Sequence, residues 1–210
     1  MNFIVYDSNK CEGGVNLKKT LYLVRHGQTF FNKMKKIQGW CDSPLTDNGR
    51  LQAEIAKEYF LSNNIKFDSA YSSTSERACD TLEILTDQNY TRNKGLKEWN
   101  FGILEAEHEY LNPPLPYGDF FVPYGGEGEI AFRNRIADTL MDILQKDTGE
   151  SILAVSHGAS CRQFMRHWAH ESNVDQEAPL SNCCILIFEF ENAVFRLKKI
   201  VNHDYTKLDL

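Results

Sequence analysis

Short apolar runs alternate along this chain with longer stretches in which apolar residues recur every three or four positions. Thr20 to Val24 (TLYLV), Phe67 to Ser72, Ser151 to Val155 (SILAV), Cys184 to Phe190 and Ala193 to Val201 have the length and side chains of strands. The segment near Leu96 reads as a further short strand. Helical spacing covers Leu45 to Leu61, where Thr46 is the N-cap signal, and Thr74 to Thr86, where Ala78, Leu82 and Leu85 share one side. It returns over Glu129 to Lys146, with Ile130, Ile136, Leu140, Ile143 and Leu144 inward, and again after Gly158 to about His170. Strands separated by helices of this length predict βαβ units, hence an α/β fold with a mostly parallel sheet.

Two of the apolar runs end in a histidine followed by glycine, at His26-Gly27 and His157-Gly158. Ligands of parallel sheets bind beyond the carboxyl ends of the strands. If these two strands are parallel neighbours, the two imidazoles meet at one sheet edge. Residues 20–202 read as a single domain, with an extension over 1–19 and a tail over 203–210. Between Phe101 and Gly128 periodicity gives way to Pro, Gly and aromatic residues, the composition of a functional loop.

Composition narrows the class of partner. The chain has 210 residues and a formal net charge of -6, which argues against a nucleic-acid-reading surface and against docking on an anionic membrane. Any phosphate bound here must meet positive charge concentrated locally, an arrangement that favours small phosphorylated molecules over polyanions. The six cysteines include no C-x-x-C pair and read as free thiols of a reducing compartment. The apolar run Phe3 to Tyr6 lacks the flanks of a signal peptide, and no segment has the length of a membrane span, so the expected location is cytoplasmic.

The segment LYLVRHGQTFFN, Leu21 to Asn32, carries the most specific chemistry. Neutral imidazole is a competent nucleophile near pH 7, and the planar fork of Arg25 suits phosphate oxygens. Gly27 reads as a position where backbone approaches an anion closely. Taken singly, the other candidates have ordinary readings: Arg77 as a surface-paired arginine, Glu98 as a loop carboxylate, His157 as a core histidine. His167 and His170 share a helix face, but no carboxylate partner makes them a metal site, and His108 and His203 read as solvent-exposed. The Gly125-Gly126-Glu127-Gly128 stretch lacks the Lys-Ser/Thr of a P-loop and reads as a flexible helix entry, with Glu127 at its positive end.

With these residues in place, the chain resembles the histidine phosphatase superfamily, the branch of cofactor-dependent phosphoglycerate mutases and their phosphatase relatives. QGWCDSPLTDNGRLQA (Gln38 to Ala53), YSSTSERACDTLEIL (Tyr71 to Leu85), LKEWNFGILEAE (Leu96 to Glu107) and ILAVSHGAS (Ile152 to Ser160) follow in the family's order. The resemblance implies a three-layer α/β/α fold with a mostly parallel central sheet. It also implies that His26 takes the phosphoryl group while Arg25, Arg77 and His157 surround its oxygens with positive charge. By the same resemblance Asn32 donates to the phosphate, Gly158 lies against it, Gln38 and Gly39 form a substrate-contacting turn, and Glu98 protonates the leaving oxygen. Ala106 stands where the family often has Gly.

No metal and no cofactor is expected, because two arginines and a histidine can stabilise the equatorial oxygens unaided. The short span between Glu98 and His157 favours a phosphatase over a mutase by resemblance. Within it Leu104 to Gly128 contains no Lys or Arg, while Tyr110, Tyr117, Phe120, Phe121 and Tyr124 suit a neutral or apolar leaving group. The expected function is therefore hydrolysis of a phosphomonoester. A phosphoglycerate mutase and a non-catalytic phosphate-binding domain are the alternatives, and the oligomeric state, a homodimer included, is left open.

Overall fold

The computed structural model describes residues 18–206. The extension and the tail therefore lie largely outside the described residues, as does Cys11. In chain order the elements are β1 (Lys19–Arg25), α1 (Phe30–Lys33), α2 (Asp47–Ser62), β2 (Ser69–Ser73), α3 (Glu76–Leu85) and β3 (Thr91–Asn93), followed by α4 (Glu129–Lys146), β4 (Ser151–Ser156), α5 (Gly158–His167), β5 (Ile185–Glu191) and β6 (Val194–Val201). The six strands form one sheet in the order β3-β2-β4-β1-β5-β6. β1, β2, β3 and β4 pair in parallel, and β5 and β6 join antiparallel.

The layers follow from the two-residue period of the strands. Leu21, Leu23, Ile152, Ala154, Leu186 and Phe188 point to one face and pack with Phe132, Ile136 and Leu140 of α4 and Phe164 of α5. Val24, Leu153, Val155 and Ile185 point to the other, against Ala53, Ala56 and Phe60 of α2 and Leu82 of α3. Each such side chain taken out of water contributes about 1.5–3 kcal/mol. The result is the expected three-layer α/β/α arrangement.

The helix starts are fixed by local chemistry. Thr46 Oγ1 accepts from Gly49 N at 3.0 Å to open α2, and Thr29 with Asn32 forms a reciprocal capping box at α1. Three expectations need correction. The strand expected near Leu96 lies earlier, at Thr91–Asn93, because Asn93 Oδ1 accepts from Gly95 N at 2.8 Å and winds Lys94–Leu96 into a 3-10 turn. α5 ends at His167, and His170 falls on a separate 3-10 turn, so these two histidines do not share an α-helical face. His203 is half-buried beside Tyr59 and Tyr205 rather than exposed.

Candidate active site

β1 and β4 run in a register that sets Arg25 opposite Ser156, so the next residues of both strands are His26 and His157. His26 N extends the ladder by donating to Ser156 O at 3.0 Å, and the two rings stand edge to face with centroids 5.3 Å apart. Both imidazoles are buried. Nδ1 of His26 lies 2.7 Å from the carbonyl oxygen of Gly27. That acceptor holds the ring proton on Nδ1 and leaves the lone pair on Nε2, the atom to which Arg77 Nε donates at 3.3 Å. Burial, with the Arg77 and Arg25 guanidinium groups added, holds the His26 pKa well below the usual histidine range. His26 is thus held as a neutral imidazole whose unprotonated Nε2 accepts from Arg77.

Gly27 serves a different purpose from the one expected. A Cβ on it would stand 2.4 Å from Gly49 O, and a Cβ on Gly49 would stand 2.0 Å from Gln28 O. The paired glycines let α2 press onto the nucleophile loop. Gly27 N meanwhile donates to Thr81 Oγ1 of α3 at 3.0 Å.

Arg77 enters from the first turn of α3 and is wholly buried. Its NH2 donates to Gly39 O at 2.8 Å, and its NH1 to Cys41 O at 3.0 Å and Asp42 Oδ1 at 2.9 Å. Arg25 donates through NH1 to Leu180 O at 2.6 Å, while its buried Nε has no protein partner. Gly158 makes room for that guanidinium, since a Cβ there would come within 3.2 Å of Arg25 Nε.

His157 Nε2 sits 2.8 Å from Ser73 Oγ, and Ser75 N donates to the same oxygen at 3.3 Å. Ser73 Oγ pairs with Nε2 in either ring tautomer, and Nδ1 is a buried atom without a protein partner. Burial, reinforced by Arg77 and His26, holds this imidazole well below its ordinary pKa. In this setting the imidazole is neutral.

Glu98 is buried with its carboxylate against the start of α5. Oε2 accepts from Ala159 N at 2.9 Å, and Oε1 from Ser160 N at 3.0 Å and Trp99 N at 2.9 Å. Burial pushes the pKa up, and these backbone donors with the Arg77 and Arg25 charges pull against it; the net direction is upward. An approaching phosphate dianion would raise it further.

A cavity of about 320 Å³ opens beside these groups, although Arg77 and His157 do not line it. Arg25, His26, Asn32, Gln38, Glu98 and Gly158 line it. Asn32 spends Oδ1 on Thr29 N at 3.1 Å, which leaves its amide nitrogen for the cavity. Gln38 accepts from Thr29 Oγ1 at 2.7 Å, and its Nε2 is buried without a partner. Gly39 does not line the cavity; its carbonyl orients Arg77 instead, and a Cβ there would stand 2.4 Å from Trp99 O.

The outer wall departs from expectation. Of the five aromatic residues read as lining it, Tyr117 does so, whereas Phe121 belongs to the core and Tyr110 is 80% exposed. Lys36, Arg162 and Asn112 line it as well, none of them singled out by motif. Lys36 has no ion pair among the described residues and lies 5.7 Å from the Phe31 ring centroid. The Arg162 guanidinium is held by the carbonyls of Gln176 and Ala178. Asp42 and Ser73, which orient Arg77 and His157, also escaped notice, although both lie inside motif blocks.

A comparison with family models matches residues 21–203 to the histidine phosphatase superfamily, branch 1. The chain belongs to that superfamily. Among curated relatives of this histidine phosphatase family member is the 2,3-bisphosphoglycerate-dependent phosphoglycerate mutase of Buchnera aphidicola subsp. Cinara cedri, 29% identical over 86% of this chain and 97% of the relative. Among solved structures, a phosphoserine phosphatase from Entamoeba histolytica in complex with 3-phosphoglyceric acid is 28% identical, with a TM-score of 0.72 over 89% of this chain and 98% of that one. A phosphoglycerate mutase from Bacillus anthracis shares the fold, with a TM-score of 0.77 at 23% identity over 88% of this chain and 93% of that one. The superfamily thus brings both mutases and phosphatases alongside this chain, and an enzyme of that general kind is what the match supports.

Proposed function

We propose that this protein is a metal-independent phosphomonoester hydrolase working through a phosphohistidine on His26. The observation that carries the reading is a set of buried, unpartnered atoms beside one nucleophile. Arg25 Nε, Gln38 Nε2 and His157 Nδ1 all lack protein partners around His26. Burying donors unsatisfied costs about 1–3 kcal/mol each. A phosphoryl group, with three equatorial oxygens to satisfy, takes all of them together with Arg77 Nε.

In the first step His26 Nε2 bonds to phosphorus as the phosphorus–oxygen ester bond breaks, and the leaving oxygen takes its proton from Glu98. The proton on Nδ1 stays with the Gly27 carbonyl. In the second step water attacks phosphorus, gives its proton to the Glu98 carboxylate, and the phosphorus–nitrogen bond breaks. Inorganic phosphate leaves, and both groups return to their starting states.

Transfer to a second alcohol, the mutase reaction, has one observation in its favour: the unpaired Lys36 on the cavity wall can hold the carboxylate of a phosphoglycerate. The two readings separate in one assay. Release of inorganic phosphate from 4-nitrophenyl phosphate in EDTA should be rapid for the wild type and lost in His26→Ala. Equal rates for the two proteins sink the histidine mechanism. Interconversion of 2- and 3-phosphoglycerate faster than phosphate release sinks the hydrolase reading.

A further inference from the structure

Arg135 lies in the second turn of α4, outside the cavity wall, yet all five of its N–H groups point at one segment and the residue that brackets it. NH1 donates to Gly95 O at 2.8 Å and to Lys97 O at 2.9 Å, and NH2 donates to Glu98 O at 3.0 Å. The remaining two form a bidentate pair with Glu127, Nε to Oε1 and NH2 to Oε2, both at 2.7 Å. Glu127 grips the far side of the same loop. Its Oε2 accepts from Asn100 N at 2.9 Å, its backbone N donates to Asn100 O at 2.9 Å, and its carbonyl accepts from Trp99 Nε1 at 2.7 Å. The stretch from residue 95 to 100 is therefore held from Gly95 to Asn100 by one ion pair.

Glu98 sits inside that stretch, and its carboxyl is held separately, by the backbone amides that open α5. Its backbone is thus referred to α4 and its side chain to α5. We propose that Arg135, locked by Glu127, is a positioning residue for the reaction: it fixes the main chain that presents the Glu98 carboxyl to the leaving oxygen. This inference rests on the reading of Glu98 as proton donor. The guanidinium does not reach the cavity, so its influence passes through the carbonyls it holds. A lysine carries the charge but has three donors on one nitrogen, and cannot span three carbonyls and both carboxylate oxygens. Glu127 accordingly has a role beyond favouring a helix start.

Leaving-group dependence tests this, because an acid matters in proportion to the basicity of the oxygen it protonates. For wild type, Arg135→Lys, Glu127→Gln and Glu98→Gln, kcat/KM is measured on 4-nitrophenyl phosphate, whose phenol leaves readily, and on phenyl phosphate, whose phenol needs the proton. A general acid contributes about 10²–10⁴-fold. Glu98→Gln should therefore lose phenyl phosphate turnover by about a hundredfold or more while 4-nitrophenyl phosphate suffers far less. Arg135→Lys and Glu127→Gln should show the same selectivity at smaller size, about tenfold on phenyl phosphate. Melting curves identify any variant that has unfolded, and Glu127→Gln, which keeps its shape, stands in for Arg135→Lys in that event. If both esters lose equally, or neither loses, in the Arg135 and Glu127 variants while Glu98→Gln stays selective, the positioning role is overturned. If Glu98→Gln itself is unselective, the proton-donor reading fails and takes this one with it.

Discussion

Arg77 Nε reaches His26 Nε2 across 3.3 Å while the rest of its guanidinium is tied to Gly39 O, Cys41 O and Asp42. One side chain is therefore tied to His26, and its own position is set by three groups on the loop that follows. Those contacts explain why a fully buried arginine is tolerated: every nitrogen has a partner.

Arg77→Lys should keep the charge and lose the function. An ammonium cannot hold the carbonyls of Gly39 and Cys41, the Asp42 carboxylate and a phosphoryl oxygen at once. Loss of one positioned donor in such a site costs about 10²–10³ in kcat. A fall of that order is expected from steady-state phosphate release, and a variant within a few-fold of wild type would show that Arg77 is structural.

The two neutral histidines predict how stability depends on pH. In the unfolded chain an imidazole takes up a proton as the pH falls through about 6.5. In the folded chain His26 and His157 are held well below their ordinary values by burial and by neighbouring arginines. Below about 6.5 the unfolded state then binds more protons, so stability falls with falling pH, by up to about 1.4 kcal/mol per unit for each ring. Glu98, raised by burial, acts in the opposite sense: its contribution is present below the unfolded carboxylate value and lost as pH rises through its folded value. Denaturant midpoints at pH 7.5, 6.5 and 5.5 should fall along that series, less steeply in His26→Asn. Identical slopes for the two proteins would show that His26 is not held neutral.

Gly49→Ala should invert the usual helix rule. Glycine inside a helix ordinarily costs roughly 0.5–1 kcal/mol relative to alanine. Here the added Cβ would meet Gln28 O at 2.0 Å, so α2 or the nucleophile loop must move. Overpacking of this kind costs about 1–3 kcal/mol. Urea unfolding should show the variant destabilised, and a gain in midpoint would mean the loop yields without cost.

What was legible beforehand follows from the range of the interactions involved. The meeting of His26 and His157 could be read because each follows directly on an apolar strand, and the parallel register of those strands does the rest. The bounds of α4 were legible because its apolar positions repeat, although Ile130, expected on the inner face, sits at the helix start and is 60% exposed. Glu98 could be flagged but not its setting, since the amides of Ala159 and Ser160 come from a helix sixty residues away in the chain. Arg135 looked like an ordinary helix-surface arginine for the same reason. Cys183, just ahead of β5, takes a left-handed turn conformation, φ 54°, with its N–H donating to Arg25 O. Ala106, where a glycine was noted as usual, adopts φ 68°, the region glycine occupies freely.

Lys36 bears on the choice of leaving group. The expectation of a neutral or apolar alcohol rested on a loop without lysine or arginine, but Lys36 and Arg162 reach the same cavity from other elements. The carbonyls of Gln176 and Ala178 occupy Arg162, whereas Lys36 has no ion pair among the described residues. Asn112 lines the same cavity, and its buried Oδ1 has no donor. An alcohol carrying an anionic group and a hydrogen-bond donor would satisfy both. Lys36→Met should raise KM for such a phosphomonoester, 3-phosphoglycerate or phosphoserine for example, by about tenfold, the equivalent of roughly 1.4 kcal/mol. The same change should leave KM for 4-nitrophenyl phosphate near its wild-type value, because that leaving group offers Lys36 no anion. Equal KM changes on charged and uncharged esters would show that Lys36 supplies general electrostatic attraction, not recognition of the alcohol.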